Sequence, residues 1–148
     1  MKRIVPYGIR IGERGNVEVV PVVHAKVKGD SGIVIPVAFL LDSGATTSLL
    51  PLTDAEALGV ELSTGEKISL QGISGDELIG SRHKVTLDLE GFVLQAVPIV
   101  FASRSDVPRV LGREGVFPRF AILFDEAKRR VGFLERRSER KAINRLLG

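Results

Sequence analysis

The sequence predicts a single, mainly β domain that carries one or two short helices and ends in a helical extension. Short runs rich in Val, Ile, Leu and Phe alternate with turns that contain Gly, Pro, Asp or Ser, which is typical of antiparallel sheets. The 148 residues are 44% hydrophobic and 26% charged, which is enough apolar content for one core. Because no linker interrupts the chain earlier, we expect a domain over residues 1–134 and a basic helical extension over residues 135–148.

The first half of the domain is predicted to contain a β-hairpin. Residues 17–27 form one strand that Pro21 can interrupt, and a turn over residues 28–32 returns the chain as a second strand over residues 33–41. Pro36 has no N–H to donate to a neighbouring strand. We therefore expect Pro36 at a sheet edge or a bulge.

A short helix is predicted after a brief strand at residues 48–50. Thr53 is the predicted N-cap, Glu56 its capping-box partner three residues later, and Gly59 the residue that ends the helix. The order is thus a strand, a turn with an aspartate, and a small helix.

The second half of the domain is also predicted to be antiparallel β. A glycine-rich hairpin tip spans residues 72–76, and a helical turn is expected over residues 113–120. The predicted strands are residues 67–70, 77–79, 85–89, 92–101, 110–111, 121–124 and 130–134.

The composition argues against several classes of protein. There is no cysteine for a disulfide or a thiolate metal site, and the two histidines, His24 and His83, lack ligand spacing, so neither a metal nor a cofactor is predicted. The N-terminus has no apolar run long enough for a signal peptide, and no stretch approaches the length of a membrane span. A cytoplasmic location with no membrane partner is the default expectation.

The C-terminal segment is basic within a chain whose net charge is only +3. A basic tail can bind nucleic acid. A solvated amphipathic helix is favoured instead, because Glu135 and Glu139 lie close to basic residues and no aromatic residue follows Phe133. The basic residues are Lys128, Arg129, Arg130, Arg136, Arg137, Arg140, Lys141 and Arg145.

The tripeptide Asp-Ser-Gly occurs twice, at residues 30–32 and 42–44. Asp30 follows Lys28 and Gly29, which indicates an ordinary hairpin turn. Asp42 ends the apolar run over residues 37–41. Ionised carboxylates are rarely buried unless they are paired, so an aspartate placed at the end of a buried strand needs an explanation.

Four features follow one another: the apolar run with its aspartate loop, the glycine-rich hairpin, a second apolar run with Gly112 and Arg113, and a closing hairpin. Together they resemble the retroviral-type aspartic proteases over roughly residues 17–134, most closely the cellular retropepsin-like domains of the DNA-damage-inducible protein family. The resemblance implies a single-domain acid-protease β-barrel. The matching segments are Phe39 to Ala45 for the catalytic loop, Leu70 to Gly75 with Leu78 to Gly80 for the flap, Val110 to Arg113 for the second signature, and Phe120 to Asp125 with Val131 to Phe133 for the closing strands.

The resemblance implies a role for each residue of the loop. Asp42 is the catalytic carboxylate, Ser43 braces the paired loops through its hydroxyl, Gly44 lets the backbone approach the substrate, and Ala45 leaves room in the cleft. It also implies a mobile flap that closes over an extended peptide and binds it through backbone hydrogen bonds. The flap residues are Gly72, Ile73, Ser74 and Gly75.

The second signature is expected to support the loop. Gly112 allows close packing, and Arg113 ties the region together by charge-assisted bonds. Retroviral enzymes commonly have a further aspartate after the loop, whereas Thr46 and Thr47 follow here. The sequence therefore assigns no partner to Arg113, and its role is treated as structural. The flap also lacks a large aromatic residue.

Peptide hydrolysis by carboxylates requires two of them, one acting as base toward a water and one carrying a proton. One chain supplies only Asp42, since Asp30 lies on the same hairpin. We therefore expect a homodimeric aspartic endopeptidase that acts on extended peptides or proteins. Two alternatives stay open: a retropepsin-like peptide- or protein-binding module without efficient cleavage, and a β-barrel interaction or nucleic-acid module in which Asp42 is incidental. A serine hydrolase is disfavoured because no Gly-x-Ser-x-Gly motif occurs.

Overall fold

The computed structural model describes all 148 residues and contains twelve strands and two α-helices. The helices are α1 (Leu52–Leu58) and α2 (Arg140–Leu147). The strands are β1 (Lys2–Pro6), β2 (Gly8–Ile11), β3 (Val17–Val20), β4 (Val22–Lys28), β5 (Val34–Leu41), β6 (Ser48–Leu50), β7 (Glu66–Gln71), β8 (Glu77–Leu89), β9 (Phe92–Ala102), β10 (Val110–Leu111), β11 (Phe120–Asp125) and β12 (Arg130–Glu135).

Six strands close into a barrel in the order β4-β5-β10-β6-β9-β8, and β8 pairs again with β4. Strand β8 has 13 residues, so its second half pairs with β4 while its first half pairs with β7. The hairpin formed by β7 and β8 therefore extends beyond the closed barrel. The expectation of a mainly β barrel with short helices is confirmed.

The core fills the inside of the barrel because side chains alternate in direction along each strand. On β4 the buried residues are Val23, Ala25 and Val27, every second position of the strand. Phe39 and Leu41 continue this inward row on β5, so the strand that carries Asp42 is anchored by fully buried side chains.

The first predicted strand is in fact two strands, because the chain breaks at Pro21. Strand β4 enters the barrel, whereas β3 leaves it and pairs with β2 in a separate two-stranded hairpin. Neither β2 nor β1 was predicted from the sequence. Pro36 lies at an edge as expected, since it pairs only with Lys26 of β4, and β10 reaches no further along β5 than Leu40.

The predicted start of helix α1 is wrong. The helix begins at Leu52, so Thr53 lies inside its first turn, and no side chain caps it. The carbonyl of Arg104 accepts the N–H of Leu52 at 3.0 Å, and this long-range bond replaces the side-chain cap. Gly59 ends the helix in a left-handed conformation (φ 68°), as predicted.

Two further helical elements occur where they were expected, but their bounds differ from the predicted ones. The helical turn expected over residues 113–120 is a single 3₁₀ turn at Phe117–Arg119. The C-terminal extension forms α2, which buries Ile143, while β12 runs through Glu135. No helix of the chain has the length and apolar content needed to cross a membrane.

Candidate active site

Asp42 follows the last residue of β5, at one end of the barrel. Leu41 is buried, and its N–H donates to the carbonyl of Pro21 at 2.8 Å. The N–H of Asp42 donates to the carbonyl of Leu111 at 3.0 Å, so strand β10 holds the start of the loop. The position of Asp42 is therefore set by the sheet rather than by a free loop.

The loop turns tightly around the carboxylate of Asp42. The N–H of Gly44 donates to Oδ1 of Asp42 at 2.8 Å, and the N–H of Ala45 donates to its carbonyl at 3.3 Å. A Cβ at position 44 would stand 3.2 Å from Oδ1, so glycine allows this close approach. The half-buried carboxylate is oriented through one oxygen, as in an Asx-turn.

Gly112 packs directly against the loop. A Cβ there would lie 2.7 Å from the carbonyl oxygen of Thr47 and 2.8 Å from that of Ala45. The N–H of Gly112 donates at 2.9 Å to Oγ of Ser48, which is fully buried. Only glycine fits between these backbone atoms, and Ser48 satisfies an N–H that water cannot reach.

Arg113 binds the outer side of the same loop. Its Nη1 donates to the carbonyl of Ser43 at 3.3 Å, and its Nη2 donates to Oγ1 of Thr46 at 3.0 Å. Its backbone N–H also donates to the carbonyl of Ala45 at 2.9 Å. The partner that the sequence did not supply is thus the threonine hydroxyl, together with the carbonyl of a residue next to Asp42.

A partly buried ion pair lies next to the strands that carry the site, and sequence reasoning missed it. Nε of Arg109 donates to Oδ2 of Asp54 at 2.7 Å, and Nη2 donates to Oδ1 at 3.0 Å. The Asp54 side chain is only 11% exposed, whereas Arg109 is 45% exposed. This bidentate pair joins helix α1 to the segment that leads into β10.

The hydrogen bond to Asp54 raises the pKa of Arg109, and burial opposes this shift. The carbonyl of Arg109 also accepts the N–H of Leu40 at 2.9 Å, two residues before Asp42. The sequence signal for this ion pair was weak, because Asp54 lies in the first turn of α1, where an aspartate is usually explained by the helix dipole alone.

The glycine-rich hairpin tip lies between β7 and β8. The N–H of Gly72 donates to the carbonyl of Asp76 at 2.9 Å, and the N–H of Gly75, whose φ is 85°, donates to the carbonyl of Gly72 at 3.0 Å. Oγ of Ser74 donates to Oδ2 of Asp76 at 2.8 Å, and Ile73 is fully exposed. The tip is a self-contained turn with its one large apolar side chain in solvent.

The structure brings together six of the ten predicted site residues and leaves the other four apart. The loop and its supports form one hydrogen-bonded unit, whereas no hydrogen bond joins the hairpin tip to that unit. No group of three or more His, Cys, Asp or Glu side chains could hold a metal ion. The six residues are Asp42, Ser43, Gly44, Ala45, Gly112 and Arg113.

A family model described as aspartyl protease matches residues 23–114, well over half of the 148 residues. The chain belongs to the aspartyl protease family. The matched span runs from β4 through the Asp42 loop to the residue after Arg113, so it contains the whole unit described above. No curated protein sequence is significantly similar to this aspartyl protease family member.

Among solved structures, a retropepsin-like aspartic protease from Rickettsia conorii has a similar fold. Its TM-score is 0.60 at 16% sequence identity, and the match covers 89% of this chain and 98% of that chain. The retropepsin-like fold predicted for this aspartyl protease family member is therefore confirmed.

Proposed function

We propose that this chain is a homodimeric aspartic endopeptidase in which each copy supplies one Asp42 carboxylate. The observation that carries the proposal is the geometry of the loop: Gly44 holds one oxygen of Asp42 at 2.8 Å, and the loop itself is held by β10 and Arg113. Each chain thus supplies one ordered carboxylate, whereas peptide hydrolysis of this type requires two.

The second carboxylate comes from a second copy of the chain across a twofold axis. The other aspartate of the same type, Asp30, is at the far end of β5, whose eight residues span roughly 25 Å. It cannot reach Asp42 within one chain. Two carboxylates held about 3 Å apart share one proton, because both cannot ionise together.

In the proposed reaction, the ionised carboxylate takes a proton from a water as the water oxygen attacks the peptide carbonyl carbon. The protonated carboxyl gives its proton to the carbonyl oxygen. The tetrahedral gem-diol then collapses: the carboxylate that is now ionised takes the proton of one hydroxyl, the C–N bond breaks, and the protonated carboxyl gives its proton to the leaving amine. We expect an acidic to near-neutral pH optimum, since the pair must carry one proton.

The remaining roles are proposed on the same basis. Ser43 has an exposed hydroxyl that can brace the second loop, and Ala45 leaves space beside the carboxylate. The tip with Ile73 is proposed as the flap that adds backbone bonds to an extended peptide. The motifs favour the DNA-damage-inducible type among the retropepsin-like proteins.

The test is the cleavage of a diverse mixture of unstructured peptides from acidic to mildly alkaline pH, at concentrations where the protein is dimeric. Wild type should cut, and Asp42→Asn should lower the rate by roughly a thousandfold while keeping the fold and the dimer. Asp30→Asn is the matched control and should cut like wild type.

Two results would overturn the proposal. Equal losses from both substitutions would remove the assignment of Asp42. A dimer that protects peptides from other proteases and never cuts them would instead indicate a peptide-binding module.

A further inference from the structure

The hairpin arm, residues 8–20, carries an uncovered apolar face. In its two paired strands Ile9 lies opposite Val19, and Ile11 lies opposite Val17. Residues directly opposite each other, and residues two apart, point to the same face of a sheet. All four side chains therefore share one face. Their exposed fractions are 69% for Ile9, 66% for Ile11, 64% for Val17 and 37% for Val19.

The opposite face of the hairpin arm carries a charged pair, Arg10 and Glu18. Nη2 of Arg10 pairs with Oε2 of Glu18 at 2.6 Å. Both residues line a cavity of about 590 Å³ together with Ile11, the loop of the arm and Pro108. Since Pro108 lies just before β10, this cavity lies between the arm and the barrel, and Ile9, Val17 and Val19 do not line it.

The hairpin arm is rooted beside Asp42. Pro21, which follows the arm, accepts the N–H of Leu41 at 2.8 Å. At the start of the arm, a Cβ on Gly8 would lie 2.9 Å from Cβ of Val22, which pairs with Leu40. The arm thus leaves the barrel one residue away from the aspartate in the adjacent strand.

We propose that the apolar face of the hairpin arm packs against a second copy of this chain, in the interface that brings the two Asp42 residues together. The inference rests on the proposed function, because that function places a second chain at Asp42. An element rooted one residue from Asp42 lies close to the twofold axis, and its own barrel leaves its apolar face exposed.

Two physical arguments favour a permanent partner for this face. A two-stranded hairpin is at best marginally stable alone in water, and β2 and β3 pair with no other strand. A contiguous apolar patch rimmed by polar residues is typical of interaction surfaces. A second copy covers both arms at once by the same symmetry that completes the carboxylate pair.

The test is the dimer dissociation constant measured by sedimentation equilibrium. The arm variant combines four substitutions with threonine, which keeps β-branching and strand propensity. We expect its dimer dissociation constant to rise by roughly tenfold or more. The arm variant is Ile9→Thr, Ile11→Thr, Val17→Thr and Val19→Thr.

The control variant, Val34→Thr with Val93→Thr, removes exposed valines elsewhere on the barrel, 50% and 54% exposed. It should dimerise like wild type. A third variant, Ile4→Thr with Leu123→Thr, changes exposed residues of the β1-β12-β11 sheet. Thermal unfolding of every variant checks that the fold is intact.

The outcomes separate this inference from the proposed catalysis. An unchanged dissociation constant in the arm variant overturns the inference. A raised constant in the third variant would then place the dimer interface at the β1-β12-β11 sheet. Weaker peptide binding by the arm variant would then mean that the apolar face of the arm binds peptides. A wild type that stays monomeric overturns both the inference and the homodimer. A dimer that depends on the arm but shows no cleavage by wild type supports the inference and rejects the catalysis.

Discussion

The two Asp-Ser-Gly tripeptides of this chain are identical in sequence and differ in almost every contact. At Asp30 the turn is exposed: the N–H of Gly32 donates to the carbonyl of Gly29 at 3.2 Å, and nothing lies within 4 Å of a Cβ placed on Gly32. At Asp42 the carboxylate accepts the N–H of Gly44, and the loop is hydrogen-bonded to β10 and to the residues that follow it.

This difference shows that a candidate catalytic aspartate is identified by the residues and hydrogen bonds around it and not by the tripeptide itself. Three supports of the Asp42 loop, Gly112, Asp54 and Ser48, have a counterpart of the same residue type in the Asp30 tripeptide, namely Gly32, Asp30 and Ser31, and these serve as controls. The comparison fails if the paired substitutions have equal effects.

The largest effect is expected at the glycines. Gly112→Val should lower the free energy of unfolding by about 3 kcal/mol, because its Cβ would meet the carbonyl oxygens of Thr47 and Ala45 below 3 Å. Gly32→Ala should cost about 1 kcal/mol, from the positive φ of 85° alone. Urea unfolding measures both.

The same pair tests the second signature. Gly112→Val should also lose cleavage because the Asp42 loop must shift, whereas Gly32→Ala should keep it. A well-folded, active Gly112→Val protein would show that close packing at this position is dispensable.

The next effect is expected at a buried aspartate. Asp54→Asn should cost about 2 kcal/mol, since it weakens a charge-assisted pair whose carboxylate is only 11% exposed. The half-exposed Arg109 can turn to water, which limits the loss. Asp30→Asn, which breaks no ion pair, should stay within about 0.5 kcal/mol of wild type. Equal costs would mean that the pair between Asp54 and Arg109 adds nothing to stability.

A smaller effect is expected at the serines. Ser48→Ala should cost about 1.5 kcal/mol, because the buried N–H of Gly112 loses its acceptor. Ser31→Ala removes a hydrogen bond to the carbonyl of Leu58 at 2.6 Å, but this serine is exposed and water can replace it, so about 0.5 kcal/mol is expected. Amide hydrogen exchange at Gly112 should quicken only in Ser48→Ala.

Most strands and turns of the fold could be predicted from local sequence patterns, because the residues that specify them lie within a few positions of one another. The apolar run before Asp42 and the glycines of the hairpin tip predicted their elements directly. The start of α1 could not be predicted, because the carbonyl of Arg104, 52 residues from Leu52 along the chain, replaces the expected cap.

The candidate site was predictable only where its residues are close in sequence or match a family motif. The pair between Asp54 and Arg109 and the bond between Ser48 and Gly112 join residues 55 and 64 positions apart. Their register depends on the barrel closing, which no local pattern specifies. The hairpin arm was missed because residues 17–27 were read as one strand, whereas the chain divides at Pro21 into β3, which belongs to the arm, and β4, which belongs to the barrel.

The smallest expected effect concerns the environment of Asp30. This residue, with His83 and Lys84, lines a cavity of about 230 Å³. Burial lowers the pKa of His83, and the nearby carboxylate of Asp30 partly opposes the shift. Oγ of Ser81 donates to the carbonyl of Leu62, so Nε2 of His83 must donate to that Oγ, and an added proton goes to Nδ1.

A lowered pKa means that folded His83 holds its proton less tightly than the unfolded chain does, whose value is about 6.5. Stability is therefore full above that pH and falls as the pH decreases from there through the folded value. Urea unfolding at neutral and acidic pH should show this loss in wild type, and His83→Gln should remove it. Asp30→Asn should lower the pKa of His83 further in an NMR titration, because the attracting charge is gone. An unchanged pKa would show that Asp30 does not act on this histidine. If the pKa falls, the Asp30 turn differs from the Asp42 loop in chemistry as well as in packing, because its carboxylate tunes a neighbouring base and does not serve as one.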